Sequence, residues 1–161
     1  MDFTVRDVKD EVGTKGLEAV FEVAVPPDAL LEIVWAPDNF PQLFPEIRDA
    51  RVVRAEGDWI EIEFRIDAIV KEVRYTTRRT IDRAARTITW REVSGDLKRV
   101  RGGWELKDGA TPGTTRATYR AFVDPGRFIP TGLVREAAKH KLGEMVQRVR
   151  SVAKTMHATS Q

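Results

Sequence analysis

Residues 128–157 read FIPTGLVREAAKHKLGEMVQRVRSVAKTMH. Within them Val134, Ala138, Leu142, Met145, Val149, Val152 and Met156 recur at steps of four and three. At 3.6 residues per turn, that spacing returns each apolar side chain to one side of an α-helix. Lys139, Lys141, Glu144, Arg148, Arg150 and Lys154 fall off the stripe, so the remaining sides are expected to face water. A helix of this length, roughly 40 Å at 1.5 Å per residue, needs a large apolar surface to lie against.

The sequence before it reads as a sheet that supplies this surface. Ala117, Tyr119, Ala121 and Val123 form one face of a strand that Asp124-Pro125-Gly126 ends. Val100, Gly102, Trp104 and Leu106 share a face of the strand before it, with Gly102-Gly103 as an expected bend, since glycine weakens strands. Ile88 and Trp90 alternate with Thr87, Thr89 and Arg91; Val73, Tyr75, Thr77, Arg79 and Ile81 alternate with Arg74, Thr76, Arg78 and Thr80. Ile60, Ile62, Phe64, Ile66 and Ala68 alternate with Glu61, Glu63, Arg65 and Asp67, the period of a half-buried strand. A short strand, Arg51 to Ala55, precedes these, and turn signals at residues 56–58, 82–85, 94–96 and 108–113 separate the runs.

At the front, Leu17 to Val25 is β-rich until Pro26-Pro27-Asp28 stops it and opens a helix to Trp35. Proline is tolerated in a first helical turn, and Asp28 suits the positive end of the helix dipole. Asn39 to Pro45 predicts a second short helix or turn, and residues 1–16 an edge strand or tail. The expected class is α+β: a curved antiparallel sheet of about seven strands around the C-terminal helix, with two short helices after the first strand. At 161 residues the chain reads as a single domain over 1–161, able to bury about 70% of its unfolded surface.

Composition excludes several functions. The chain is 42% apolar and 32% charged, and it has no cysteine, hence no disulfide, thiolate zinc site or cysteine nucleophile. Neither a signal-peptide core nor an apolar run of about eighteen residues is present, so the cytoplasm is the expected compartment. No serine elbow, glycine-rich phosphate loop or HExxH string occurs, and His140 and His157 lack companions at metal-ligand spacing. No cofactor is therefore implied. Net charge is only +2, yet ten of the residues between Lys71 and Arg101 are basic against four acidic. That outward-facing bias reads as a solvated sheet face, or as a weak contact with an anionic membrane or a ribosome. The aromatics there point inward rather than forming a stacking platform, and specific DNA binding is not expected.

Several strings resemble the START-like helix-grip superfamily, within it the polyketide cyclase/dehydrase group that includes coenzyme Q-binding proteins. They are Val25-Pro26, the run Trp35 to Pro45, Thr80-Ile81-Asp82, Gly95 with Leu97, and Gly102-Gly103-Trp104-Glu105-Leu106 before a Gly/Thr-rich turn. The likeness spans roughly residues 17 to 155. It implies the helix-grip fold and one of three roles: carriage of a lipid, quinone or polyketide, aromatic ring closure, or ribosome association.

In such a fold a pocket remains between sheet and helix. The expected ligand-binding side chains are Phe64, Tyr75, Arg79, Trp90, Trp104 and Tyr119 from strands, Phe40 and Phe44 from the small helices, and Leu133, Ala137 and Met145 from the long helix. The alternative is that they fill a solid core. Arg79 points to the apolar face, where an unpaired charge is costly. The plainer reading is a structural ion pair with Glu92 or Asp67, or an arginine that snorkels outward; the functional one is an anchor for a carboxylate, phosphate or enolate oxygen. Members of the resembling family more often carry an apolar residue there. Tyr75 and Tyr119 are weak candidate donors or acids, since a buried tyrosine commonly finds a backbone partner; no catalytic residue is assigned. The expected function is binding of a small hydrophobic or amphipathic molecule, with an aromatase/cyclase-type enzyme and a membrane- or ribosome-associated module as alternatives.

Overall fold

In the computed structural model, which describes residues 3–67, 71–126 and 131–160 (side chains of the last segment from residue 135), the chain opens with two strands, β1 (Phe3–Lys9) and β2 (Lys15–Val23). Helix α1 (Pro27–Trp35), a 3-10 turn (Pro37–Asn39) and the single-turn α2 (Phe40–Leu43) follow. Six strands come next: β3 (Ile47–Glu56), β4 (Trp59–Asp67), β5 (Glu72–Asp82), β6 (Thr87–Gly95), β7 (Arg99–Asp108) and β8 (Thr115–Asp124). Helix α3 (Thr131–Thr159) ends the chain. All eight strands lie in one antiparallel sheet, in the order β1-β2-β8-β7-β6-β5-β4-β3. The expected architecture is present with one strand more than expected, because residues 3–9 pair with β2 as an edge strand. The two helical segments accordingly follow the second strand; residues 128–130 and Ala68 lie outside the described residues.

Local sequence explains the element ends. Pro26 and Pro27 begin α1, which buries Leu30, Leu31 and Val34. It stops at Ala36, held extended by the proline that follows, as the residue before proline avoids the helical region. Buried Thr115 ties this end of the sheet together, its hydroxyl donating to the Val25 carbonyl at 2.6 Å. Register shifts within the β3–β4 pair, and between Thr76 and Thr77 where β5 meets β6, mark bulges that sharpen strand twist and bending. Gly95 has φ 122°, and a Cβ there would lie 2.4 Å from the Tyr75 Cα, so only glycine fits.

The core is concentrated at one end. Phe21, Val23, Leu30, Leu31, Val34, Ile88, Trp104 and Leu106 are buried there together with Val146, Val149 and Ala153 of α3. The expected apolar stripe on α3 packs from Leu142 onward, with Val146 and Ala153 added to it. Leu142, Met145, Val146, Val149 and Ala153 are buried, Val152 and Met156 half-buried, and Ala138 exposed. The helix is anchored from Leu142 onward, partly by Arg150, whose Nε donates to the Glu22 carbonyl at 2.9 Å. Between Arg135 and Met145 the helix lines a hollow over the sheet, and Arg135 and Lys139 pair there with Asp7 of β1.

Candidate functional site: an apolar cavity under the C-terminal helix

That hollow is a cavity of about 470 Å³ between the inner face of the sheet and α3. Strand alternation puts Phe64 (β4), Tyr75, Thr77 and Arg79 (β5), Trp90 (β6), Trp104 (β7) and Tyr119 (β8) on its wall. Phe40 and Phe44 enter from α2 and its exit, and Ala137 and Met145 from α3. Ten of the eleven expected ligand-binding residues therefore line one space; the side chain of Leu133 lies outside the described residues. Trp104 is deeply buried, 1% exposed, with its ring against Phe21 and Tyr119.

The aromatics form two chains. In one, Phe44, Phe40, Phe64 and Tyr75 follow one another at centroid separations of 5.2, 6.0 and 5.3 Å. In the other, Trp90 meets Tyr119 at 5.6 Å and Tyr119 meets Trp104 at 4.8 Å. Arg79 joins them: its guanidinium carbon lies 4.9 Å from the centre of the Phe40 ring and 4.8 Å from that of Trp90. Trp90 has room for this because residue 102, directly across the ladder, is glycine; a Cβ there would come within 2.6 Å of the indole.

The expected ion pair of Arg79 is not formed. Glu92 instead accepts from the Val100 amide at 3.0 Å and pairs with Arg101, while Asp67 pairs with Arg48. Nor does the side chain snorkel outward: Arg79 is 5% exposed, and its Nε and Nη2 have no hydrogen-bond partner. Burial lowers the guanidinium to about 10, which still leaves it protonated at neutral pH. The Tyr75 and Tyr119 hydroxyls make no hydrogen bond within the described residues; burial first, then the Glu46 carboxylate, raises both above their usual 10. They face the cavity as proton-bearing donors, not as acids ready to ionise.

Several polar positions on this surface were not singled out from sequence. Thr77 shares the β5 face, and alternation alone marks it. Lys141, read as water-facing, reaches the cavity one turn after Ala137. Glu46 lies in the irregular link between α2 and β3, where no periodicity assigns a direction. Its Oε2 is buried without a partner, and burial raises its pKa against the opposing pull of Lys141 and Arg148.

Outside the cavity, His140 and Glu144 form the expected surface pair at 2.9 Å. Among the described residues no group of three or more His, Asp or Glu side chains is placed to hold a metal, and no helix is long and apolar enough to cross a membrane. On the outer sheet face most arginines are matched: Arg78 with Glu61, Arg101 with Glu92, Arg74 with Glu72. Arg91 stands in register between Arg78 and Arg101.

A long helix gripped by a curved antiparallel sheet, with a lined hollow between them, defines the START-like helix-grip class. The sequence profile of the polyketide cyclase/dehydrase and lipid transport family matches residues 23–150, and the chain belongs to that family. Comparison with curated protein sequences returned no match. Among solved structures, a STAR-related lipid transfer protein from Xanthomonas axonopodis superposes with a TM-score of 0.76 at 16% identity, over 94% of this chain and 93% of that one. An aromatase/cyclase from Streptomyces sp. R1128 gives 0.72 at 17% identity, over 94% of each chain. A START superfamily protein from Mycobacterium smegmatis gives 0.74 at 15% identity, over 88% of this chain and 98% of that one. At such identities the likeness is one of fold.

Proposed function

We propose that the chain takes up one small hydrophobic or amphipathic molecule, such as a lipid, quinone or polyketide, in the cavity beneath α3. The carrying observation is the cavity itself, about 470 Å³ of space walled by two aromatic chains and bordered by α3 from Arg135 to Met145. An apolar guest there gains contacts with the aromatic walls. Native mass spectrometry of the purified chain tests this. A guest mass that disappears on organic extraction, and returns when an apolar molecule is added back, is the expected result. Bare protein that also refuses added decanol would sink the proposal.

A second reading, ring closure of a polyketide, draws on one further observation. Arg79, Tyr75 and Tyr119 present donors to the same wall, able to polarise carbonyl oxygens. In that case Arg79→Ala abolishes product while the chain still folds and unfolds cooperatively; a variant that fails to fold assigns the arginine to the scaffold.

A further inference from the structure

We propose that the guest is a monocarboxylic acid bound head-first, with its carboxylate on Arg79 and its apolar body along the two aromatic chains. This rests on the reading that the cavity holds a guest, and adds its chemical class and orientation.

The argument begins with what Arg79 lacks. Among the described residues, no carboxylate forms an ion pair or hydrogen bond with it. Of the two carboxylates that line the cavity, Asp67 is engaged with Arg48. Glu46 answers to Lys141 and Arg148, and Arg79 is not among the groups acting on it. A cation held this deep without a counter-charge is expensive, and the chain supplies no group to meet it.

The same molecule shows what such a group looks like. Arg83 grips Glu32 through Nε and Nη2, at 2.8 Å to Oε2 and 3.1 Å to Oε1. Arg86 uses the same two nitrogens on Asp28, and Arg101 the same two on Glu92. These are the two nitrogens left without partners on Arg79. This planar fork fits a carboxylate bidentately. Phe40 and Trp90 flank the guanidinium, and Nε and Nη2 are closed off from the open space, so the edge at Nη1 is what remains for a guest's carboxylate to engage.

Charge balance narrows the class. One guanidinium neutralises one negative charge; a phosphate monoester carries close to two and would leave the excess among aromatic rings. A neutral lipid leaves Arg79 uncompensated. Size narrows it further: about 470 Å³ equals on the order of fifteen water volumes at ~30 Å³ each, the scale of a medium-chain fatty acid or a two-ring aromatic acid. Lys15 and Lys141, both on the cavity lining and more exposed than Arg79, place positive charge on the approach path.

The test titrates the extracted full-length chain by calorimetry with decanoate and with decanol, which share a chain and differ in charge, near neutral pH. Wild type should bind decanoate about 10- to 100-fold more tightly, as expected for hydrogen bonds to a charged group. Arg79→Met should abolish the preference while retaining decanol, and Arg79→Lys should keep part of it. Should Arg79→Met not fold, Arg79→Gln carries the same comparison. Equal affinities in wild type, or a preference that survives loss of the arginine, would overturn the acid assignment while leaving the cavity reading intact. Failure of both molecules to bind would overturn the cavity reading with it.

Discussion

Replacing Arg79 with methionine should make the guest-free protein more stable. Two buried guanidinium nitrogens lack partners, and each such group costs ~1–3 kcal/mol. Contacts with Phe40 and Trp90 return about 0.5–2 kcal/mol each. The drop of the guanidinium from its usual 12.5 to about 10 corresponds, at 1.36 kcal/mol per unit, to a net penalty of about 3 kcal/mol. Exchange of buried charge for an apolar side chain of similar length commonly gains ~1–4 kcal/mol. The expected gain is therefore roughly 1–3 kcal/mol, or about 2–4 °C in Tm per kcal/mol for a chain of this size. Urea unfolding of both proteins, with unchanged slope, reads it directly. The sign carries a pH signature. Because folding lowers this pKa, the folded state gives up its proton first, so wild-type stability rises from about pH 10 toward 12.5 and the gap between the proteins narrows there. A variant less stable than wild type by more than about 1 kcal/mol would refute the reasoning and make Arg79 a structural tie.

Three further outcomes are expected. Trp104→Ala, which empties a large buried aromatic position, should cost about 3–5 kcal/mol in denaturant unfolding; a cost below about 1 kcal/mol would mean that this wall is not packed as described. Glu46→Gln should leave acid stability unchanged and increase stability at higher pH. Burial raises the folded pKa of Glu46 above 4.5, so its contribution is full below that value and lost as pH rises through the folded pKa; parallel stability–pH curves for the two proteins would contradict this. With its neighbours Arg78 and Arg101 already matched to acids, the outer face should not retain the chain on anionic vesicles at physiological salt. Salt-sensitive cosedimentation lost in Arg91→Glu would instead mark a docking surface.

The fold was legible because its signals are periodic. Strand alternation assigned Phe64, Tyr75, Arg79, Trp90, Trp104 and Tyr119 to one face, and the structure places them there. Helical spacing located α3 and its packed residues Leu142, Met145 and Val149, but not where along the helix close packing begins. Periodicity registers that Ala138 is apolar; it does not register that the sheet has receded beneath it, leaving it exposed. The same recession turns Lys141 from a solvent-facing residue into a cavity-lining one. Glu46 was invisible because it lies in a link without a repeat. The absence of a partner for Arg79 was hidden for a different reason. Alternation placed its side chain inside, but whether Glu92 reached it depended on the competing Val100 amide and Arg101, which only the folded register brings close.

The cavity is most directly tested by titrating decanol into wild type and into the double variant Ala121→Phe/Ala137→Phe, which fills the space from the β8 and α3 walls. Wild type should take up one guest per chain, with the negative heat-capacity change of apolar burial. The filled variant should bind at least about tenfold more weakly while unfolding as a single transition. No saturable binding by wild type, or undiminished binding by the filled variant, would contradict the account.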